Sequence, residues 1–481
     1  MSSTLSNLLW KFAERISSQM VSFVVSIVLA RILAPSDYGT IAMVMIFVTL
    51  ANVFVEGGFP SALIQKQNAD KLDFSTVFYF SVFISIILYL ILYVSAPYIA
   101  QFYGDDYEII TPVLRVIGLQ IIIYGANSVQ QAYVSKQMMF RKFFFSTLAG
   151  TVVSASVGLL MAYSGYGIWA LVSQQMIMTV VNTLVLFLVT RKLPGLMFSF
   201  QRLNGLIAYG AKILSASLLT TLFLDLRSLI IGKVYSSNDL AFFDRGRQFP
   251  NLIVTNINSS IGAVLFPKMS QEQNDKERVK QICRDSIRFG SFIMIPLMMG
   301  LAVCAESVVR LLLTDKWIQC VPFLQLFCII YMFYPMHTAN MQAIKALGHS
   351  GTYLKLEIIK KTIELISLLL VMNISVTAIA VNMAVLTSLF TILNAYPNIK
   401  FLGYSFKEQM KDLLPSAIIS IIMATIIYII GKLLPINELY SLIVQVISGV
   451  VIYILLSYFF HNKELKFMCS ILLNKIHHAY K

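Results

Sequence analysis

Long apolar stretches recur along almost the whole chain and are separated only by short polar breaks. Most are close to the ~20 residues that an α-helix needs to cross the hydrocarbon core of a membrane. In lipid only helices and closed barrels satisfy their backbone hydrogen bonds, and barrel strands are shorter and alternate in polarity. The stretches therefore predict an all-α integral membrane protein with about fourteen transmembrane helices. The predicted spans are 8–33, 40–63, 74–99, 109–134, 143–163, 166–190, 206–232, 241–265, 286–313, 319–344, 353–372, 375–399, 413–433 and 438–460.

The composition agrees with a membrane protein. Apolar residues make up 58% of the 481 residues and charged residues only 12%, whereas a soluble domain carries about 25% charged residues. This balance excludes a soluble enzyme, a disordered chain and a disulfide-rich scaffold. The cysteines are few, odd in number and never spaced as CxxC, so we expect no metal site and no cofactor. They are Cys283, Cys304, Cys320, Cys328 and Cys469.

The charges of the loops predict the orientation of the chain. With the N-terminus inside, most of the 37 lysines and arginines fall in cytoplasmic segments, as the positive-inside rule requires. The outside segments hold only Arg31, Lys233, Lys316 and Lys432, with Arg310 nearby. An even number of spans then returns the C-terminus to the inside. We therefore expect a multi-pass protein with both termini in the cytoplasm, and most of the net charge of +14 reflects this topology.

The chain contains a weak internal repeat. A shift of 202 residues places Asp37 on Asp239. Further matches at shifts of 202 or 210 residues are Arg31 with Lys233, Gly39 with Ala241, Leu114 with Leu324, Tyr124 with Tyr334, and Trp169-Ala170 with Ile379-Ala380. An even number of helices per repeat gives both halves the same orientation, as in parallel transporter repeats. We predict two pseudo-symmetric six-helix lobes around a central cavity, 1–205 and 206–400, followed by two C-terminal helices and a basic tail in 401–481.

Polar side chains recur at helical spacing inside several spans, so that they share one face of a helix. Sugars need amide groups that both donate and accept hydrogen bonds, and arginine binds a phosphate bidentately. This combination suits a glycan on a phosphate-bearing carrier. The alternative for each amide is a role in holding helices together, and for each arginine a place at a span end that reaches the interface. The candidate substrate-binding residues are Arg15, Asn127, Gln131, Arg245, Arg247, Gln248, Asn251 and Asn258.

Ionisable residues within the spans are candidates for ion coupling. A carboxylate in a medium of low dielectric constant can bind or release a cation, which singles out Glu56 and Asp225. His337 is a candidate proton carrier, although a lone histidine in a helix more often only forms hydrogen bonds. The eleventh span differs, because its charges are predicted to pair with one another at (i, i+4) spacing. The predicted pairs are Glu357–Lys361 and Lys360–Glu364.

Catalytic signatures are missing from the sequence. It contains no P-loop, no HExxH, no GxSxG and no GxGxxG before a helix. The predicted outside loops are only a few residues long, which leaves little room for an enzymatic site there. We therefore expect that the protein is not an enzyme.

Two segments carry a likeness to a known family. Residues 29–39 read LARILAPSDYG and residues 241–248 read AFFDRGRQ. Further matching segments are EGGF at 56–59, ALIQ at 62–65, NINSS at 256–260 and LFP at 265–267. Together they resemble the polysaccharide transporter family, the O-antigen and colanic-acid type flippases of the multidrug/oligosaccharidyl-lipid/polysaccharide exporter superfamily.

The resemblance implies an exporter whose two lobes rock to move undecaprenyl-pyrophosphate-linked oligosaccharide across the bacterial inner membrane, coupled to a proton or sodium gradient. It implies further that Arg15, Arg245 and Arg247 hold the pyrophosphate. Other partners implied are membrane lipids, a polysaccharide polymerase and other assembly proteins, but no nucleic acid. The sequence departs from the family pattern at Ala241-Phe242, where glycine and tyrosine are usual, and at Asp244, where serine is usual. An acid at this position changes how the neighbouring arginine presents to phosphate.

Three other functions stay open at this point. A multidrug or metabolite antiporter on the same fold is expected to favour acids and aromatic residues in its pocket, because drugs are often cationic. A membrane-embedded glycan polymerase or ligase would change its substrate covalently, whereas a flippase would not. A scaffold subunit of the assembly machinery has no positive feature in its favour.

Overall fold

The structure is a computed structural model that describes residues 3–56, 58–66, 68–104, 107–190, 195–433, 437–460 and 464–465. Within these ranges every regular element is a helix. Most of the predicted basic tail after the last helix lies outside the described residues. The helices are α1 Ser3–Ile32, α2 Pro35–Glu56, α3 Phe59–Gln65, α4 Lys71–Tyr103, α5 Ile110–Lys136, α6 Phe140–Tyr163, α7 Ile168–Thr190, α8 Phe200–Val234, α9 Ser237–Gln271, α10 Lys276–Val303, α11 Ala305–Leu313, a 3-10 turn Asp315–Cys320, α12 Val321–Met332, α13 Tyr334–Ala346, α14 Ser350–Val371, α15 Val376–Leu402, α16 Phe406–Leu433 and α17 Glu438–Phe459.

Most of these helices are suited to cross a membrane. In the described part of the chain, 13 helical segments are long and apolar enough to do so. This confirms the predicted all-α membrane fold. The helix α14 matches the predicted eleventh span in position and has 22 residues, but its charged side chains keep it out of that group.

The charges of α14 pair differently from the prediction. Lys360 Nζ lies 2.6 Å from Glu357 Oε1, and Lys361 Nζ lies 3.0 Å from Glu364 Oε2. Both pairs have (i, i+3) spacing, so the predicted (i, i+4) pairs Glu357–Lys361 and Lys360–Glu364 are wrong. Residues three and four apart are both neighbours on a helix surface, and sequence spacing alone does not decide between them.

Three predicted spans are interrupted. The predicted span 40–63 is α2 followed by α3, which carries Pro60 in its first turn. The predicted span 319–344 is α12 followed by α13, which carries Pro335 in its first turn. A proline suits the first turn of a helix, because the backbone donor that it lacks would have no intrahelical partner there. The predicted span 286–313 ends as α10 and continues as the separate short helix α11.

The helices group into two compact units, residues 1–241 and 242–481, which we call unit 1 and unit 2. In unit 1, α4 packs on α5, α6 packs on α7 and α1, and α8 packs on α2, α3 and α4. In unit 2, α10 packs on α12, α13 and α16, while α15 packs on α12, α13 and α14. The boundary between the units falls within the continuous helix α9.

Two helix–helix turns that the shift of 202 residues aligns share a hydrogen-bond pattern. Between α1 and α2, the backbone N–H of Ala34 donates to Asp37 Oδ2 at 3.1 Å. Between α8 and α9, the backbone N–H of Ser236 donates to Asp239 Oδ2 at 3.2 Å. These are the two aspartates that the shift of 202 residues aligns. Each carboxylate satisfies a backbone donor left over where a helix begins, so both turns have the same local design.

A second pair of turns repeats at the shift of 210 residues. After α5, Met138 has φ 53°, and the N–H of Met139 donates to the carbonyl of Val134 at 2.9 Å. After α13, Gly348 has φ 80°, and the N–H of His349 donates to the carbonyl of Ile344 at 3.1 Å. Both helices thus end with a residue in the left-handed region that closes the last turn. Glycine adopts this conformation without strain, whereas methionine does not.

We expect Met138→Gly to stabilise the protein by about 1 kcal/mol, because it removes the strain of an L-residue at positive φ. The methionine side chain is 48% exposed, so little packing is lost. The measurement is the midpoint of SDS-induced unfolding in detergent. The reverse change at the equivalent position, Gly348→Ala, is expected to be destabilising. A decrease in stability of Met138→Gly would contradict the strain argument.

Candidate functional site

The part of α9 that carries two candidate arginines is pressed closely against α12. A Cβ atom on Gly246 would lie 2.6 Å from Phe323 Cβ and 2.8 Å from the backbone nitrogen of Leu324. Only a residue without a side chain permits this approach. The helix is therefore held in place at the residue between Arg245 and Arg247.

Arg245 is fixed by its neighbours within unit 2. Its side chain is buried, with 5% of the residue exposed, and Nη1 donates to Gln248 Oε1 at 2.6 Å. The guanidinium carbon lies 5.0 Å from the centre of the Trp317 ring, and Trp317 is fully buried. Stacking of a guanidinium on an aromatic face is favourable in such a position. Arg245 and Gln248, both predicted to bind substrate, are thus brought together by direct contact.

Arg247 has a different environment. Its Nη2 lies 2.9 Å from Asp244 Oδ1, and its side chain is 40% exposed while that of Asp244 is 26% exposed. The two residues are three apart on the helix, so the ion pair lies along one face. Arg247 therefore keeps accessible surface that Arg245 has lost.

The polar stripe continues along α9 towards α13. Asn251 is exposed. Asn258 Oδ1 accepts a hydrogen bond from Thr338 Oγ1 at 2.7 Å. A Cβ atom on Gly262 of the same helix would lie 3.6 Å from Gln342 Nε2 and 3.9 Å from Thr338 Cγ2. Asn258 thus ties α9 to α13, which is the structural role considered as its alternative.

His337 is enclosed by hydrogen-bonding groups of α15. Its Nδ1 lies 2.8 Å from Asn394 Nδ2, and its Nε2 lies 3.2 Å from Thr391 Oγ1. A neutral imidazole satisfies both contacts by accepting at Nδ1 and donating at Nε2. Thr391 Oγ1 in turn donates to the carbonyl of Thr387 at 2.9 Å.

The remaining candidates lie in unit 1, on several helices. Arg15 on α1 and Glu56 at the end of α2 are exposed, whereas Gln131 on α5 and Asp225 on α8 are half-buried. Asn127 on α5 is 2% exposed, and its Oδ1 has no hydrogen-bond partner among the described residues. Of this group, Asn127 is the amide with unused hydrogen-bonding capacity.

The sequence did not reveal several polar contacts in unit 2. Asn340 Nδ2 donates to Gln409 Oε1 at 2.8 Å, and Asn398 Nδ2 donates to Asn340 Oδ1 at 2.7 Å. All three amides are fully buried and join α13, α15 and α16. Trp317 and Thr338 were likewise missed. The residues in these contacts are far apart along the chain, so no local sequence pattern predicts the contacts.

Comparisons with known proteins decide the family. A family model described as "Polysaccharide biosynthesis protein" matches residues 28–322, which is more than half of the chain. The chain belongs to this family. The resemblance noted in the sequence segments is thereby confirmed.

The curated proteins that resemble this chain are distant relatives. The succinoglycan biosynthesis transport protein ExoT of Rhizobium meliloti is 25% identical over 320 residues, which cover 66% of this chain and 64% of that protein. The lipopolysaccharide biosynthesis protein WzxC of Escherichia coli is 23% identical over 338 residues, which cover 68% and 66%. The chain thus matches slightly less than two thirds of the length of these curated relatives.

Solved structures share the fold of this chain. The lipid II flippase MurJ in an inward closed conformation superposes with a TM-score of 0.76 at 16% identity, over 94% of this chain and 99% of that chain. A multidrug resistance transporter of the MATE family, in an inward-facing conformation, gives 0.64 at 14% identity over 80% and 94%. At such low identity the likeness concerns the fold alone.

Proposed function

We propose that the protein is a flippase that moves undecaprenyl-pyrophosphate-linked oligosaccharide from the inner to the outer leaflet of a bacterial inner membrane. The observation that carries the proposal is the pair Arg245 and Arg247 on α9, followed on the same helix by the amides Gln248, Asn251 and Asn258. Arginine suits the pyrophosphate and the amides suit hydroxyl groups of the sugars. The names of the relatives ExoT, a transport protein, and MurJ, a lipid flippase, support the same activity.

The proposed mechanism is alternating access by the two repeats, 1–205 and 206–400, with 401–481 as an addition. In transporters built from parallel repeats, rocking of one repeat against the other exposes the substrate to either side of the membrane in turn. We propose that both termini lie in the cytoplasm and that a proton or sodium gradient drives the cycle through Asp225, Glu56 or His337. A polysaccharide polymerase and other assembly proteins are the proposed partners that use the product.

We expect Arg247→Ala to lower the flipping rate about tenfold or more, because a hydrogen bond to a charged group contributes about 1.5–3 kcal/mol. Arg15→Ala and Arg245→Ala are expected to act in the same direction. The measurements are surface polysaccharide and the amount of lipid-linked oligosaccharide accessible only from the cytoplasmic side. Each variant must reach the membrane in normal amount, as checked by immunoblot.

The matched control is Arg278→Ala, which removes the same charge from an exposed position at the start of α10. Normal surface polysaccharide after deletion of the whole gene would overturn the proposal. A glycan that changes in length or linkage would favour a polymerase or ligase, since a flippase leaves its substrate covalently unchanged. Intact glycan with increased sensitivity to cationic dyes would favour a multidrug antiporter.

A further inference from the structure

We propose that Asp244 competes with the anionic group of the substrate for Arg247, and thereby sets how tightly unit 2 holds a phosphate-bearing ligand. The inference rests on the proposed function for its physiological ligand. Asp244 thereby sets the affinity for the anion. Of the two neighbouring arginines, Arg247 binds the anion, whereas Arg245 is held in buried contacts.

The two arginines differ in what they can offer to a ligand. Arg245 is 5% exposed, donates to Gln248 at 2.6 Å and stacks on Trp317. Releasing it would leave the amide of Gln248 and the indole face without their partner. Arg247 keeps 40% of its side chain exposed. It is therefore the arginine of α9 that an incoming anion can reach without disrupting buried contacts.

Asp244 already occupies part of the hydrogen-bonding capacity of Arg247. Its Oδ1 lies 2.9 Å from Arg247 Nη2, and only this nitrogen of the guanidinium forms the ion pair. A phosphate is recognised most strongly when it accepts two parallel N–H donors. An anion at Arg247 must therefore displace the carboxylate or share the guanidinium with it at close range.

The exchange is favourable because the existing pair is weak and the incoming pair is stronger. Partly exposed ion pairs contribute little to stability, since water screens them and both side chains lose freedom. A phosphate carries more charge than a carboxylate and more acceptor oxygens. A displaced Asp244 stays on the same helix turn and repels the bound anion, so that binding is weaker than to Arg247 alone. An exporter benefits from such moderation, because its substrate has to leave again.

In the described part of unit 2, Asp244 is the carboxylate that forms an ion pair with Arg247. Arg245 is the next residue along the helix and adds positive charge close to Asp244. Tyr331 on α12 interacts electrostatically with Arg247 and is itself buried. Removing the charge of Asp244 therefore takes away the carboxylate that is paired with Arg247.

The test measures binding of inorganic pyrophosphate to the purified full-length protein in detergent, by isothermal titration calorimetry. We expect Asp244→Asn to bind about fivefold more tightly than the wild type, the size that an exposed ion pair allows. Asp244→Ser serves as a second variant in case the asparagine keeps a strong contact to Arg247. The matched control is Asp315→Asn, which removes a carboxylate from the exposed pair with Arg310 and is expected to leave the affinity unchanged.

A double variant decides whether the effect acts through Arg247. In the background Arg247→Ala, the change Asp244→Asn is expected to give little further gain, because coupled residues are not additive. Unchanged affinity of both Asp244 variants, an equal gain in Asp315→Asn, or no measurable pyrophosphate binding to any variant overturns the inference. Because the assay needs no transport, its result stands apart from the polysaccharide experiments, which test the flippase function itself.

Discussion

Asp412→Asn is expected to lower the free energy of unfolding of unit 2 by about 2–3 kcal/mol, because a buried carboxylate that accepts charged hydrogen bonds is lost. Only 1% of the Asp412 side chain is exposed. Its Oδ1 accepts from Arg284 Nη2 at 2.9 Å and lies 2.7 Å from Arg288 Nη2, and Oδ2 accepts from Tyr404 Oη at 2.8 Å. The carboxylate thus joins α16 to two residues of α10 and to the turn before α16.

Tyr404 stabilises this arrangement through its protonated hydroxyl. Burial, and then the hydrogen bond and the charge of Asp412, raise the pKa of Tyr404 well above its usual value. The hydroxyl therefore stays protonated and keeps donating to the carboxylate throughout the working pH range. Asparagine in place of Asp412 can still accept from Tyr404, but it removes the carboxylate that lies 2.7 Å from Arg288 and accepts from Arg284 at 2.9 Å. The acid that remains near Arg288, Glu464, is 3.8 Å away.

The measurement is SDS-induced unfolding of the purified protein, followed by the loss of helix signal and by proteolysis of the α15–α16 connection. The control is Glu306→Gln, which breaks a pair with Arg310 at 3.0 Å in which the acid is 63% exposed. Its expected cost is below about 1 kcal/mol. If both variants lost the same small amount, Asp412 would not be the anchor of α16.

Asp412 also illustrates what the sequence predicts and what it leaves out. The lysine and arginine content of the loops predicts the orientation, and Arg284 and Arg288 enter that argument only as cytoplasmic charges. In the structure both are bound to a carboxylate more than a hundred residues further along the chain. The number of helices follows from apolar length, which is a local property, whereas the pairing of charges depends on how distant helices pack.

In the candidate site, too, the sequence predicts the local motif but not the contacts between distant helices. The sequence identified Arg245 and Arg247 as equal candidates, because both stand in the same motif. Their difference arises from Trp317, which fills the space beside Arg245, and from Gly246, which presses α9 onto α12. The shift that aligns Asp37 with Asp239 could be read from the sequence, and their carboxylates form matching hydrogen bonds to the backbone. The predicted pairs Glu357–Lys361 and Lys360–Glu364 were wrong, because sequence spacing does not distinguish helical neighbours three and four residues apart.

We expect Gly39→Ala to be among the most disruptive single-methyl changes in unit 1. A Cβ atom on Gly39 would lie 1.7 Å from the carbonyl oxygen and 2.4 Å from the carbonyl carbon of Ser237. Both are backbone atoms, so no side-chain rotation relieves the collision. The turn between α1 and α2 must then move away from the start of α9, and the expected cost is about 3 kcal/mol.

The separation also breaks contacts that hold the start of α9. The backbone N–H of Ser237 donates to Tyr107 Oη at 3.1 Å, and Lys233 Nζ donates to the carbonyl of Phe102. Tyr107→Phe is therefore expected to cost about 1 kcal/mol in the wild type and clearly less in the Gly39→Ala background. This coupling distinguishes a local separation of the two turns from general damage to the fold.

The matched control for the methyl group is Gly205→Ala on α8. A Cβ there meets no atom within 4 Å, and the residue is exposed within a helix, so alanine is expected to stabilise by up to about 1 kcal/mol. SDS-induced unfolding measures the wild type and the four variants under one condition. Equal stability of Gly39→Ala and the wild type would mean that the two repeat-related turns do not pack on each other in solution. A large loss of stability for Gly39→Ala, together with a gain for Gly205→Ala, would show that the close approach of Gly39 to Ser237 requires glycine. This requirement would explain the glycine at the end of the segment 29–39.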